Sequence, residues 1–319
     1  MAAWDCVVCG ETCLDLVAGP LPLHQPLAHR GLVPLASLEA VAGGIVPNAG
    51  IALARLGLRV AALGLVGRDP WGELIRRRLI AERLDVRDLI EVDDPSSTTL
   101  VMVGADREHT FAFRAGASQR IDRRFLLDRL DRFAAARYAL VGYYNLLPNL
   151  EADLPEVMRA IRETGCRTAL DATNGGGSLA GLDRILPHLD LYVPSYSEAQ
   201  QQTGETDPRR MLDVYRRYAP QAILGIKLGE AGALLWGPGE SPVSIAAVAP
   251  PGPVVDTTGA GDSFYAGLIA ALARDLPLAA AGRIAAAAGA CSVTALGASA
   301  AIRDWDATVA LARIAEHGT

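Results

Sequence analysis

Residues 254–264 combine a glycine-rich turn with an acidic side chain, at the point where a helical pattern begins. Gly259, Ala260 and Gly261 carry almost no side chain, so their backbone N–H groups can face a bound anion. At the start of a helix these donors are unpaired and lie at the positive end of the helix dipole. The sequence therefore predicts a site that holds a phosphoryl group through backbone amides.

Asp262 brings a carboxylate into the same turn. A carboxylate repels phosphate, so it contributes little to simple phosphate binding. It suits a general base that accepts the proton of a hydroxyl attacking the γ-phosphorus. The alternative is an ordinary helix start, where the dipole favours an acidic residue in the first turn. The residues by themselves leave both interpretations open.

The elements that must position this turn follow an α/β pattern. Short apolar runs alternate with longer helical patterns, which is typical of a mostly parallel sheet built from βαβ units. Asp69 is the expected N-cap of the helix that starts at Pro70. The predicted strands are 4–10, 59–66, 138–142, 167–171, 189–193 and 222–226, with a hairpin of 233–237 and 243–248. The predicted helices are 47–56, 70–83, 123–134, 154–163, 196–203, 207–218, 262–273, 278–295 and 304–315.

Two segments interrupt the alternation. Residues 17–38 are rich in Pro and Leu with little helical period, and 98–103 with 110–114 predict a hairpin around Asp106-Arg107. A small sheet outside the main body is suited to close over a pocket. We expect one domain spanning residues 1–319, with lid segments at about 11–38 and 96–116.

Composition excludes several classes of function. The chain has 319 residues, half of them apolar, which is enough for a large core. A net charge of −6 offers no basic surface for nucleic acid or anionic lipid, so the expected partner is a small molecule. The first residues do not resemble a leader peptide. The uncharged segment 284–302 is too weakly apolar for a bilayer, and a cytoplasmic protein is expected.

The cysteines and histidines predict neither disulfides nor zinc. Five cysteines is an odd number, which argues against a disulfide framework. Cys6 and Cys9 lie three residues apart on a predicted strand, so their side chains face opposite directions and cannot share a metal ion. The five histidines show no metal-ligand spacing.

Four motifs carry a family resemblance. Residues 256–262 (DTTGAGD) resemble the C-terminal signature of the PfkB/ribokinase family of carbohydrate and nucleoside kinases. Residues 43–48 (GGIVPN) resemble its N-terminal signature, although Val46 stands where a small residue is usual. Residues 67–72 (GRDPWG) and 227–232 (KLGEAG) match in order and spacing. The resemblance implies a ribokinase-like three-layer α/β/α fold with a mostly parallel central sheet and a small β-sheet lid.

The resemblance also implies the reaction, which is transfer of the γ-phosphoryl group of Mg-ATP to a sugar hydroxyl. Asp262 would be the general base, and the amides of Gly259, Ala260 and Gly261 would form the anion hole. Ser195 stands where the family's Asn-x-x-Glu motif has asparagine. The residues implied at the nucleotide are Ser195, Lys227, Leu228, Gly229, Glu230, Gly232 and Ala286.

The cofactors that the resemblance implies are ATP and Mg²⁺, with potassium as a further cation. Glu198 would act on Mg²⁺ through water. The cation would lie behind the anion hole, held by the Asp256 carboxylate and by main-chain carbonyls of the C-terminal region. These carbonyls belong to Thr258, Ser292, Ala295 and Gly297, with Ala301 as a further candidate.

For the acceptor, Asp15 stands at the position where the family binds substrate hydroxyls, and the alternative is a solvated loop aspartate. Gly43 and Gly44 would let backbone approach the substrate. Asn48 would bind its hydroxyls, or else cap a helix. Two further candidates, with surface or packing roles as the alternative, are Arg114 and Tyr143.

Other functions have weaker support in the sequence. Few aromatic residues fall in the expected lid, which favours a sugar over a nucleoside acceptor, and nucleoside kinase is the alternative. Residues 261–263 (GDS) resemble a lipase nucleophile motif, but no Asp-x-x-His lies near the C-terminus. The glycine run at 175–177 is a weak nicotinamide signal, and a Walker loop is absent from the sequence. Exposed lid edges would favour a homodimer.

Overall fold

The structure, a computed structural model, describes residues 2–24, 32–104, 109–173 and 178–314. Its strands are β1 (Trp4–Gly10), β2 (Cys13–Leu21), β3 (Ser37–Gly43), β4 (Val60–Gly67), β5 (Asp85–Val92), β6 (Ser97–Gly104), β7 (His109–Arg114), β8 (Ala136–Gly142), β9 (Arg167–Asp171), β10 (Leu191–Tyr192), β11 (Ile223–Lys227), β12 (Ala233–Trp236) and β13 (Val243–Ile245). The main sheet has the order β13-β12-β11-β10-β9-β8-β1-β4-β5. The strands from β11 to β5 are parallel, and β12 and β13 form an antiparallel edge.

The helices cover both faces of this sheet. They are α1 (Ile45–Arg55), α2 (Pro70–Ala81), α3 (Arg123–Leu127), α4 (Leu130–Ala134), α5 (Leu154–Glu163), α6 (Leu179–Ile185), α7 (Tyr196–Thr203), α8 (Pro208–Tyr218), α9 (Ala260–Leu272), α10 (Leu278–Ser292) and α11 (Trp305–Ile314). Buried side chains of α1, α2, α9 and α10 form one apolar cluster, and those of α3 to α8 form another. The result is the predicted three-layer α/β arrangement.

Alternation along β1 shows why the sheet is covered on both sides. Cys6 and Val8 belong to the cluster that contains α9, while Val7 and Cys9 belong to the cluster that contains α5. All four side chains are fully buried, as expected for a central parallel strand. This confirms the prediction that Cys6 and Cys9 face opposite directions.

A second, four-stranded sheet has the order β3-β2-β6-β7, and we call it the small sheet. Its register pairs Asp15 with Val41 and Thr99, and Thr99 with Phe113, so these side chains share one face. The neighbouring rows, such as Leu16 with Leu100, occupy the opposite face.

Residues 17–38, which interrupt the predicted alternation, contain the end of β2 and the start of β3. Elsewhere the structure departs from the predicted elements at three places. The predicted helix 123–134 is broken at Arg129, whose guanidinium bonds the carbonyl of Phe125 and pairs with Asp88. Strand β5 was not predicted because four of the eight residues of this edge strand are charged, without strict alternation, and α6 was also missed.

Other predictions are confirmed. The hairpin of β6 and β7 is present, although its expected turn at Asp106-Arg107 lies outside the described residues, as does the glycine run at 175–177. Asp69 caps α2 by accepting a hydrogen bond from Gly72 N at 2.8 Å. Across the described ranges, every helix is too short or too polar to cross a bilayer.

Candidate active site at the carboxyl edge of the sheet

The parallel strands deliver polar side chains to one edge of the main sheet. Because parallel strands end on the same side, the residues that follow β1, β8, β9 and β11 meet there. Tyr143 follows β8, Asp171 ends β9 and Lys227 ends β11. Asp262, in the first turn of α9, lies within hydrogen-bonding distance of one of these residues.

Asp262 is buried and held by two other elements. Its Oδ2 accepts hydrogen bonds from Asn48 Nδ2 on α1 at 2.9 Å and from the Tyr143 hydroxyl at 2.7 Å. Burial raises the pKa of Asp262, while these two hydrogen bonds and the charge of Lys227 oppose the rise. The carboxylate is thus aimed by α1 and by the end of β8, and the N-cap position of α9 is taken by Gly259.

The backbone conformation and close packing at position 259 require glycine. Its φ is +71°, and a Cβ there would lie 2.1 Å from the Cβ of Ala298. The amide of Ala260 donates weakly to the carbonyl of Thr257, at 3.3 Å. Within the described ranges, no acceptor lies in hydrogen-bonding reach of the half-buried amides of Gly259 and Gly261. These two donors are available to an anion.

Asp256 organises the backbone behind this loop. Its carboxylate accepts from the amides of Thr258 at 2.8 Å and Gly297 at 2.9 Å. His109 Nε2, from the small sheet, lies 3.2 Å from Asp256 Oδ1. The backbone amides of Val255 and Asp256 donate to the carbonyl of Val293.

Hydrogen bonds join three of the implied potassium ligands. The hydrogen bonds place Thr258, Gly297 and the carboxylate of Asp256 side by side, and they are the oxygen-bearing groups that a hard cation prefers. Ser292 lies in the last turn of α10 with its hydroxyl bonded to Gly289, and Ala295 follows that helix. The imidazole of His109 occupies one approach to the carboxylate.

Ser195 and Glu198 form a capping box at the start of α7. Ser195 N donates to Glu198 Oε2 at 2.7 Å, and Glu198 N donates to the Ser195 hydroxyl at 3.3 Å. Ser195 also pairs with Lys227 through a parallel bridge. The buried Glu198 carboxylate therefore faces the end of β11, where its charge contributes to the raised pKa values of Asp171, Asp262 and Lys227.

Asp171 is a site residue that motif analysis missed. Lys227 Nζ donates to its Oδ1 at 3.2 Å, and both side chains are largely buried. Burial raises the pKa of Asp171 to about 7, against the effect of the Lys227 charge. Burial lowers the pKa of Lys227, but Asp171, Glu198 and Asp262 outweigh it, and the pKa is raised overall. The available signal was an aspartate at the end of a predicted strand.

The other implied nucleotide residues lie in the turn after β11 and on α10. Leu228 to Gly232 form a short turn between β11 and β12, in which Gly229 and Glu230 are exposed. Ala286 lies on α10 among the buried side chains of that helix.

The proposed acceptor residues converge through the small sheet. Asp15, on β2, accepts a hydrogen bond from the Cys13 thiol at 3.2 Å, and burial raises its pKa. A Cβ on Gly43 would lie 2.0 Å from Asp15 Oδ2, and Gly44 has a φ of +82°. Asn48 is inside α1 and bonds Asp262, so it does not cap a helix.

Two more residues complete the acceptor set. Tyr143 has a φ of +56°, a strained conformation for a side chain of this size, and it directs its hydroxyl to Asp262. Arg114 pairs with Thr98, on the small-sheet face opposite Asp15. It lines a separate surface cavity of about 320 Å³ with Asp94, Gln119 and Arg120. The structure does not bring Arg114 to the Asp15 group.

A further buried acid, Glu11, follows β1. Its side chain is 1% exposed, and its backbone carbonyl accepts from Val46 N in α1. Burial raises the pKa of Glu11 to about 7, although Ser97 and Ser118 lower it. The signal available in the sequence was a charged residue directly after a fully apolar strand.

Comparison with known proteins shows which family the chain belongs to. The fructokinase of Salmonella typhimurium is 32% identical over 243 residues, which cover 72% of this chain and 76% of that enzyme. A nucleoside kinase of Methanothermobacter thermautotrophicus is 24% identical over 302 residues, covering 89% and 87%. The structure of Arabidopsis thaliana ribokinase with ribose and ATP superposes with a TM-score of 0.83 at 23% identity, over 98% of this chain and 99% of that one. It confirms the ribokinase-like fold.

The family model of the pfkB family carbohydrate kinases matches residues 4–305. This range includes Tyr143, Asp171 and Lys227 at the strand ends and the glycine loop that precedes α9. The chain therefore belongs to the pfkB family of carbohydrate kinases, which transfer a phosphoryl group to an alcohol.

Proposed function

We propose that the protein transfers the γ-phosphoryl group of ATP to a sugar hydroxyl, with Asp262 as general base. The observation that carries the proposal is the position of Asp262. It is buried beside the free amides of Gly259 and Gly261, and Asn48 and Tyr143 hold its carboxylate away from its own helix. An acid that only capped a helix would not need two donors from distant elements.

In the proposed step, the acceptor oxygen bonds to the γ-phosphorus while the bond from that phosphorus to the β–γ bridging oxygen breaks. The hydroxyl proton moves to Asp262, and ADP leaves with the bridging oxygen. The amides of Gly259, Ala260 and Gly261 stabilise the charge on the transferred group as an anion hole. The raised pKa of Asp262 makes it a stronger base than an exposed aspartate.

The nucleotide is proposed to bind along the ends of β10 and β11, against Ser195, the turn at 227–232 and Ala286. An Arabidopsis ribokinase of the same fold was solved with ATP. Glu198 is proposed to orient Mg²⁺ through water, and the ion would neutralise the phosphates. Potassium is proposed near Asp256, where it would compete with His109 for the carboxylate.

The small sheet is proposed to act as a lid within one kinase domain. Asp15 would hold sugar hydroxyls from the lid face that also carries Phe113, with Gly43, Gly44 and Asn48 as further contacts. The opposite face carries the exposed Leu38 and Leu100, which support a homodimer through the lid.

A nucleoside acceptor is the second candidate. Phe111 and Phe113 are exposed by 48% and 39%, and Phe113 belongs to the row of side chains that contains Asp15. Such rings could stack on a nucleobase. A nucleoside kinase among the relatives is consistent with this candidate.

The test measures ADP release from Mg-ATP with pentoses, hexoses, keto-deoxy sugar acids and nucleosides. We expect one class to stimulate turnover, and D262N to lower kcat by about 10²–10⁴-fold while ATP affinity is kept. D122N is the matched control, since Asp122 caps α3 on the surface. Absence of acceptor-stimulated turnover, or unchanged turnover in D262N, would refute the proposal.

A further inference from the structure

Lys227 is the only lysine in the chain, and the other 29 of its 30 basic Lys and Arg side chains are arginine. Every other Lys or Arg cation in the chain is thus a guanidinium. Lysine and arginine differ in shape, since an ammonium is a compact point charge and a guanidinium is a wide planar fork. A single lysine among so many arginines indicates a place where a compact cation is required.

The Lys227 ammonium has close neighbours on three sides. Its ammonium lies 3.2 Å from Asp171 Oδ1 and 5.5 Å from the ring centre of Tyr265. It also lies close to Gly261, since a Cβ added there would be 3.1 Å from Nζ. The cation is therefore directly beside the anion-hole loop, in a space bounded by backbone and an aromatic ring.

The charges around Lys227 are strongly unbalanced. Asp171, Glu198 and Asp262 all face it, and their negative charges each act on its ammonium. Asp171 and Asp262 are almost fully buried, at 1% and 3% exposure. A triphosphate that enters this site adds further negative charge in a region of low dielectric, and the Lys227 ammonium would share its neutralisation with Mg²⁺ and the amide dipoles.

We propose that the Lys227 ammonium binds an oxygen of the transferred γ-phosphoryl group, with Asp171 as the positioning residue that holds the ammonium beside the anion hole. This inference rests on the proposed function, and it adds a cation to an anion hole made of amides. No bond forms to Lys227. Its protons stay on nitrogen while the phosphorus–oxygen bond to ADP breaks, and its charge offsets the charge on the three phosphoryl oxygens.

A purely structural ion pair would behave differently. Loss of Lys227 would then leave Asp171 buried without its partner and lower the free energy of unfolding, but it would not distinguish ATP from ADP. The proposal places the ammonium on the γ-phosphoryl group, which ADP lacks. The difference between triphosphate and diphosphate binding therefore separates the two roles.

The kinetic test uses K227M, K227R and D171N in the full chain, with R162M as the control. Arg162 pairs with Asp190 at 2.9 Å, so R162M removes a half-buried cation from an ion pair at the opposite edge of the sheet. We expect K227M to lower kcat by about 10²–10³-fold. ADP affinity should stay within about twofold, and affinity for the imido analogue of ATP should fall at least about tenfold.

K227R keeps the charge but not the shape, so it should restore only part of kcat. D171N should lower kcat less than K227M does, because it loosens the ammonium without removing it. Turnover of K227M within threefold of the wild type, or equal losses of imido-ATP and ADP affinity, would overturn the proposal.

A spectroscopic test needs no turnover. Protein labelled with ¹³Cε-lysine gives a single lysine resonance, which belongs to Lys227. We expect Mg²⁺ with imido-ATP to shift this signal and Mg²⁺ with ADP to leave it nearly unchanged. Equal shifts with both nucleotides, or none, would refute the inference. If no acceptor stimulates the wild type, the proposed function fails, and this spectrum still decides the contact of Lys227.

Discussion

The hydrogen bond from Tyr143 to Asp262 gives the sharpest test of how the base is held. At 2.7 Å from Oδ2, the Tyr143 hydroxyl stabilises the ionised carboxylate more than the protonated acid. Y143F removes this donor and leaves the Asn48 bond at 2.9 Å. Loss of a donor to a charged group raises the pKa of Asp262 further.

The magnitude follows from the strength of such bonds. A hydrogen bond to a charged group contributes about 1.5–3 kcal/mol, which corresponds to about 1–2 pKa units. The donor that remains on Oδ2 and the charge of Lys227 moderate the effect, so a rise of about one unit is expected. The acid limb of log kcat/KM should therefore move to higher pH by about one unit.

The assay is a pH profile of kcat/KM between pH 5 and 9 for the wild type and Y143F. Above the limb the two enzymes should converge in kcat/KM, because the base is ionised in both. Y144F is the matched control, since Tyr144 is a buried neighbour whose hydroxyl hydrogen-bonds Tyr192. Superimposable profiles, or a loss in Y143F that is equal at every pH, would refute the reasoning.

Three further outcomes are expected. Because burial raises the pKa of Glu11 from 4.5 to about 7, the wild-type free energy of unfolding should decrease as the pH rises through this interval. In urea titrations at pH 4 and 8, E11Q should remove up to about 3 kcal/mol of this decrease. The same decrease in both proteins would contradict this. G259A should lower the free energy of unfolding by about 2–4 kcal/mol, because Gly259 has a positive φ and the added Cβ would meet Ala298. G239A, with a φ of +73° and open space around it, should lower this free energy by only about 1 kcal/mol. Equal losses would contradict the steric argument. H109A should lower the KCl concentration for half-maximal activity at constant ionic strength, because the imidazole no longer contacts Asp256; identical titrations would oppose this competition.

The sequence by itself determined the features that depend on neighbouring residues. The alternation of apolar strands and helical patterns predicted the α/β layers, and the glycines at 259 and 261 predicted a turn with free amides before a helix. Asp69 and Pro70 marked a helix start correctly. These signals are local, since backbone conformation and capping involve residues a few positions apart.

Only the tertiary structure decided how the site is assembled. Asn48 and Tyr143 lie 214 and 119 residues from Asp262, and Lys227 lies 56 residues from Asp171. These contacts depend on strand order and register, because a parallel sheet brings together the ends of strands that are distant in the chain. Register also placed Arg114 on the face opposite Asp15, since neighbouring positions along a strand point to opposite sides.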